Sequence, residues 1–68
     1  MTHQQRVIEE FNELGKKLIK LYQFMLHSEV YSTIQLSEQE LLSEQAVKMQ
    51  DYYNILEKRI STFSTVAE

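Results

Sequence analysis

Two stripes of apolar residues, one in each half of the chain, are the feature that most constrains the fold. Both repeat at alternating spacings of four and three residues, which places each stripe along one side of a long α-helix. The first stripe comprises Val7, Phe11, Leu14, Leu18, Leu21 and Met25. The second comprises Leu42, Ala46, Met49, Tyr53, Leu56, Ile60 and Phe63. The pattern therefore predicts an all-α protein with two long helices.

The chain is short for a protein that must build its own core. Domains of 68 residues are marginally stable, and the sequence contains no cysteine with which to form a disulfide. A lone pair of helices cannot enclose two such stripes. We therefore expect residues 1–68 to form a single antiparallel helical hairpin that completes its core by homo-oligomerisation.

Local signals divide the chain into three segments. They predict a helix over residues 3–27, a loop over 28–36 and a helix over 37–63, with fraying beyond it. Thr2 is a plausible N-cap for the first helix. Ser37 to Glu40 reads as a capping box for the second, flanked by Leu36 and Leu41 at the positions of a hydrophobic staple. This start signal disfavours the alternative of one continuous helix.

The loop is too apolar for a solvated linker. We expect Val30, Tyr31 and Ile34 to pack across the end of the helices.

Gly15 lies inside the first helix, where it costs about 1 kcal/mol relative to alanine. It shares a heptad position with Ile8 and Tyr22, beside the first apolar stripe. It is either a tolerated defect or a dent that admits a helix of another subunit, and the second interpretation is preferred.

Composition excludes several classes of function. The net charge of −3 disfavours binding to a nucleic acid polymer, which requires a basic face. No apolar run is long enough to span a membrane, and no secretion signal begins the sequence, so the cytoplasm is expected. His3 and His27 have no second ligand at metal spacing, and no nucleophile motif or phosphate loop is present. We expect neither metal, nor cofactor, nor catalysis.

Polar and aromatic side chains follow one border of the second apolar stripe. Gln45, Tyr52 and Arg59 repeat every seven residues, with Lys48 and Thr62 beside them. A tyrosine can stack on a nucleotide base, and an arginine can form two hydrogen bonds to a phosphate. The alternative is a solvated rim in which Arg59 pairs with Glu9 or Glu10 of the antiparallel helix.

The second helix resembles small proteins of tailed phages in its pattern of Leu41-Leu42, Gln45, Met49, Tyr52, Leu56, Arg59-Ile60 and Phe63. The opening segment, Gln4 to Ile8 with Glu10 and Leu14, fits the same group. Nearly the whole chain is similar to the hairpin domain of the anti-CBASS and anti-Thoeris sponges, which sequester cyclic-nucleotide immune signals.

This resemblance implies a hexamer in the host cytoplasm. The hexamer would hold a cyclic di- or trinucleotide, or a cyclic ADP-ribose-like molecule, between its subunits and would not cleave it. The resemblance also implies that Arg59 faces the phosphate, with Thr62 nearby and Gln45 at a matching position. The chain lacks the additional region that completes the pockets of the sponges. The alternative is a structural or host-protein-binding helical module without a small-molecule ligand.

Overall fold

The protein is an antiparallel helical hairpin in a computed structural model that describes residues 2–63. Helix α1 spans His3–His27, a short 3₁₀ turn spans Tyr31–Thr33, and helix α2 spans Leu36–Ser61. The described part of the chain contains no β-strand. The hairpin measures 50 × 16 × 15 Å, which corresponds to two helices lying side by side. The prediction of an all-α fold is confirmed.

The two predicted stripes form the contact between α1 and α2. Every residue of both stripes is buried or half-buried. About a third of the way along the hairpin from the start of α1, the rings of Phe11 and Tyr53 stack with centroids 4.3 Å apart and planes inclined by 20°. Within residues 2–63, the side chains that are buried from solvent are Val7, Leu18, Ala46 and Leu56. The core of one chain is therefore a single thin seam.

Helix α1 has the bounds that the sequence predicts, and its predicted N-cap is confirmed. The hydroxyl of Thr2 accepts a hydrogen bond from the backbone N–H of Gln5 at 3.1 Å. The side-chain carbonyl of Gln5 accepts one from the backbone N–H of Thr2 at 2.9 Å. These two bonds form a capping box and satisfy two N–H groups that a helix start leaves without partners.

The predicted start of α2 at Ser37 is wrong. The N-cap is Gln35, whose carbonyl accepts hydrogen bonds from Glu38 and Gln39, both at 3.0 Å. Ser37 therefore lies within the first helical turn and caps nothing. The predicted staple does not form either, because Leu36 and Leu41 are both exposed.

Contacts between the loop and α2 explain this earlier start. The side-chain amide of Gln39 donates to the carbonyls of Tyr31 at 3.0 Å and Ile34 at 2.9 Å. The hydroxyl of Tyr31 donates back to the carbonyl of Gln39 at 3.3 Å, and its ring stacks on Phe24. These bonds fix the loop against the first turn of α2, so the helix begins where the loop leaves it. Tyr31 and Ile34 are half-buried as expected, whereas Val30 is 60% exposed and does not pack.

Helix α2 ends two residues before the predicted position, at Ser61. Thr62 is the C-cap, and its backbone N–H bonds to the carbonyl of Arg59, three residues back, at 3.2 Å. This tighter bond closes the last turn. The fraying predicted beyond residue 63 lies outside the described residues.

Gly15 faces the partner helix of the same hairpin. A Cβ atom added at Gly15 would lie 3.1 Å from Cε1 of Tyr53. The missing side chain thus makes room for the Tyr53 ring that stacks on Phe11. Within one chain, this contact accounts for the glycine without the helix of another subunit that the sequence interpretation favoured.

Candidate functional site

The predicted site residues share one face of α2. They belong to a row, here called the mixed stripe, that repeats at spacings of four and three residues beside the core seam. The mixed stripe comprises Leu41, Gln45, Lys48, Tyr52, Ile55, Arg59 and Thr62. All seven residues are exposed, so their side chains are largely unused by the packing of the hairpin.

The mixed stripe is a line and not a pocket. At about 1.5 Å per residue, the distance along the helix from Gln45 to Thr62 is about 25 Å. Tyr52 and Arg59 are about 10 Å apart on the same measure. No pocket is found among residues 2–63. One chain therefore brings the predicted site residues onto one face but does not gather them around a ligand.

Local hydrogen bonds occupy some of these polar groups. The amide of Gln45 donates to the sulfur of Met49, one turn along the helix, at 3.7 Å. The hydroxyl of Thr62 donates to the carbonyl of Arg59 at 2.7 Å. Both contacts lie within α2 and hold these side chains along the helix surface.

The guanidinium of Arg59 has no ionic partner in the described part of the chain. The expected pairing with Glu9 or Glu10 is absent, and the ion pair found between residues 2 and 63 joins Lys16 to Glu13 at 3.5 Å. The acidic residues among residues 2–63 thus leave this arginine without a carboxylate partner inside the hairpin. Its donors are available to an external acceptor.

A second arginine, Arg6, lies on α1 toward the same end of the hairpin as Arg59, and the sequence analysis did not identify it as a site residue. Arg6 directly precedes the buried Val7, and Arg59 directly precedes the half-buried Ile60. Each arginine therefore borders the seam on its own helix. The sequence does show an arginine beside the seam on each helix. It does not show that the two arginines lie near each other, because that depends on the register between the helices.

Helix α1 carries an exposed row of its own, here called the apolar stripe. Ile8, Ile19 and Leu26 are 40%, 58% and 74% exposed. Tyr22 and Gly15 lie in the same row but are half-buried. Sequence reasoning identified the positions of Ile8, Gly15 and Tyr22 but missed Ile19 and Leu26, which continue the row at spacings of four and three.

The mixed stripe of α2 and the apolar stripe of α1 lie on opposite faces of the hairpin. Viewed from the N-terminus of each helix, the apolar stripe lies about 100° clockwise of the α1 seam and the mixed stripe about 100° counterclockwise of the α2 seam. Because the helices are antiparallel, opposite rotations lead to opposite faces. On the face of the apolar stripe, the hydroxyl of Tyr22 donates to the side-chain carbonyl of Gln50 at 3.1 Å. Gln50 lies on the side of α2 away from the mixed stripe, which agrees with this assignment.

Residues 2–63 contain no membrane-spanning helix and no metal-binding cluster. Neither helix contains a segment that is long and apolar enough to cross a membrane. No three histidine, cysteine, aspartate or glutamate side chains are grouped so that they could hold a metal ion.

Comparison with known proteins gives two matches that cover almost all of the chain. Residues 1–62 match the Sequestin family. The chain is also 41% identical over 63 residues to the uncharacterized 7.5 kDa protein of the denB-rIIB intergenic region of Enterobacteria phage T4. That alignment covers 93% of this chain and 97% of the phage protein. No solved structure matches the chain. The resemblance to small phage proteins is confirmed, and the chain belongs to the Sequestin family.

Proposed function

We propose that this protein sequesters a cyclic-nucleotide immune signal in the cytoplasm of a phage-infected host cell, and that it holds the signal between copies of itself without cleaving it. The family name indicates a sequestering role, and the relative in phage T4 indicates a phage context. The ligand class proposed is a cyclic di- or trinucleotide or a cyclic ADP-ribose-like molecule. The expected binding residues are those of the mixed stripe.

The observation that carries this proposal is the exposed, ionically unpaired Arg59 in one row with Tyr52 and Lys48. A guanidinium forms strong, paired hydrogen bonds to phosphate oxygens. A tyrosine ring can stack on any nucleotide base, and a lysine supplies further positive charge. The row thus offers the three kinds of contact that a nucleotide can use.

Enclosure of the ligand would require a second copy of the chain. Small-molecule sites normally bury most of the ligand surface, whereas the mixed stripe lies on an open, convex helix face. The apolar stripe provides a surface through which copies could associate, since Ile8, Ile19 and Leu26 remain exposed in one chain. Because the apolar stripe and the mixed stripe lie on opposite faces, we propose a homo-oligomer, a hexamer by the resemblance stated above, in which apolar stripes form one contact between copies and mixed stripes face one another across a second contact.

Calorimetry with a cyclic dinucleotide, a cyclic trinucleotide and cyclic ADP-ribose tests this proposal. At least one of the three should bind the parent protein, raise its melting temperature and be recovered intact. Arg59→Ala should lose that binding while light scattering still reports the parent assembly. Lys58→Ala is the matched control, because it removes the same charge from the neighbouring residue, which points away from the seam. Absence of binding by every compound in the panel would refute the proposal for these ligands.

The exposed apolar stripe also supports a second candidate function. A face carrying Ile8, Ile19 and Leu26 could contact a host protein instead of another copy, with no small-molecule ligand. Ile19→Lys distinguishes the two functions. If the stripe joins copies, this substitution should dissociate the assembly. A parent protein that is monomeric and unresponsive to the nucleotides would favour the second function.

A further inference from the structure

We infer that Arg6 of α1 is a second phosphate-binding residue, which acts with Arg59 of α2 on one phosphate group. This inference rests on the proposed function, which assigns phosphate binding to α2 alone. The ligand class is a nucleotide whose phosphate is accessible from two sides, such as a phosphodiester or a pyrophosphate. The site would therefore span both helices at the open end of the hairpin.

The register of the helices places the two arginines toward the same end of the hairpin. The stacked rings of Phe11 and Tyr53 and the hydrogen bond of Tyr22 described above join α1 to α2 at two levels. Measured from the ring pair at about 1.5 Å per residue, Arg6 and Arg59 lie about 7.5 and 9 Å nearer the open end. Measured from the hydrogen-bonded pair, they lie about 24 and 13.5 Å nearer that end. Their Cα atoms are therefore separated by about 2–10 Å along the hairpin, within the combined reach of two arginine side chains.

The two arginines also share a face. Viewed from the N-terminus of its own helix, each lies about 100° counterclockwise of its core seam. Equal rotations on antiparallel helices lead to the same face, which is the face of the mixed stripe. Packed helices have axes about 8–10 Å apart, so two long side chains that border the seam can reach a group held between them.

Neither guanidinium is engaged in an ion pair within residues 2–63. Glu10 lies one turn from Arg6 and could have paired with it, but it does not. Its position four residues after the cation is the less favourable order for a helical ion pair. Two exposed guanidinium groups on one face, toward one end of the hairpin, therefore create a local concentration of positive charge in a chain of net charge −3.

This local charge favours a compact anion. Each guanidinium presents a planar fork of N–H donors that matches two oxygens of a phosphate. A phosphate between the helices could accept one fork from each side. A neutral ligand or a base edge would gain much less from two positive charges at one place.

The test compares Arg6→Gln and Arg59→Gln with two controls, Lys20→Gln and Lys58→Gln. Each control removes one positive charge from the same helix but at a position that points away from the seam. The probes are the nucleotide that binds the parent most tightly and inorganic pyrophosphate. We expect each arginine variant to weaken binding of both probes by at least tenfold, and each control by less than threefold, on the scale of charge-assisted hydrogen bonds.

Two additional readouts separate binding from a structural role. The melting temperature without ligand should be the same for Arg6→Gln and Lys20→Gln. Added salt should weaken binding by the parent more steeply than binding by Arg6→Gln, because one ionic contact has been removed. Arg6→Lys keeps the charge without the fork and should bind with intermediate affinity. It also serves as the test variant if Arg6→Gln does not fold.

The outcomes distinguish this inference from the proposed function. If Arg59→Gln loses the nucleotide while Arg6→Gln binds it like Lys20→Gln, the inference is overturned and the proposed function stands. If the parent binds pyrophosphate through both arginines but binds no nucleotide of the panel, the two-arginine site stands and the proposed function fails. If the parent binds neither probe, both fail.

Discussion

Leu56 gives the sharpest test of the hairpin, because it is the side chain that the structure encloses completely. Its exposure is 0%, and it lies on the α2 seam against α1. Leu56→Ala removes three carbon atoms, one methine and two methyl groups, and leaves a cavity that the neighbouring helix cannot fill without moving. Substitutions of this kind cost about 2–5 kcal/mol.

That cost is large relative to the expected stability of the chain. At about 0.05–0.15 kcal/mol per residue, a protein of this length is stable by about 3–10 kcal/mol. A loss of about 2 kcal/mol should lower the melting temperature by about 8–16 °C in a domain of this size. A loss of about 5 kcal/mol would unfold the protein at room temperature if its stability lies below about 5 kcal/mol, in the lower part of that range.

Leu41→Ala is the matched control. It makes the same chemical change in the same helix, but Leu41 is 59% exposed, so we expect a cost below about 1 kcal/mol. Melting followed by circular dichroism should be compared at one fixed protein concentration, since any association makes the midpoint depend on concentration. Equal midpoints for the two variants would refute the packing described for the seam.

Two further predictions concern the helix start and the glycine contact. Thr2→Ala should lower the free energy of unfolding by about 0.5–2 kcal/mol in denaturant titrations, because it breaks the capping box. Ser37→Ala should change the free energy of unfolding by less than about 0.5 kcal/mol. A larger effect at Ser37 would place the start of α2 at that residue. Gly15→Val should cost about 1–3 kcal/mol, because its side chain would displace the Tyr53 ring from Phe11. Tyrosine fluorescence and melting together check this, and an unchanged midpoint would show that the ring has room to move.

The seam was predictable because helical periodicity directly reports which side chains share a face. Every residue that the sequence assigned to the core seam, on α1 or on α2, is buried or half-buried. The start of α2 was not predictable from the same local signals. Thr2 and Ser37 both open a plausible capping box, but only that of Thr2 forms. The bonds from Gln39 to the loop decide the matter, and they are tertiary contacts that a local pattern does not contain.

The candidate site was predictable in part for a similar reason. Spacing alone shows that Tyr52 and Arg59 share one face of α2, and both are exposed there. Spacing within α2 cannot show which residue of α1 lies beside Arg59. That relation depends on the register between the helices, which only the contacts between side chains of α1 and α2 reveal. Arg6 was therefore invisible to an analysis of either helix alone.

The placement of the two stripes on opposite faces has a consequence for how such a protein can evolve. A substitution in the mixed stripe changes Gln45, Lys48, Tyr52 or Arg59 without altering Ile8, Ile19 or Leu26 on the other side. Selection for a different ligand can therefore act on one surface while the other stays under its own constraint. If the protein sequesters a host signal as proposed, and that signal changes, we expect substitutions to accumulate faster along the mixed stripe than along the apolar stripe.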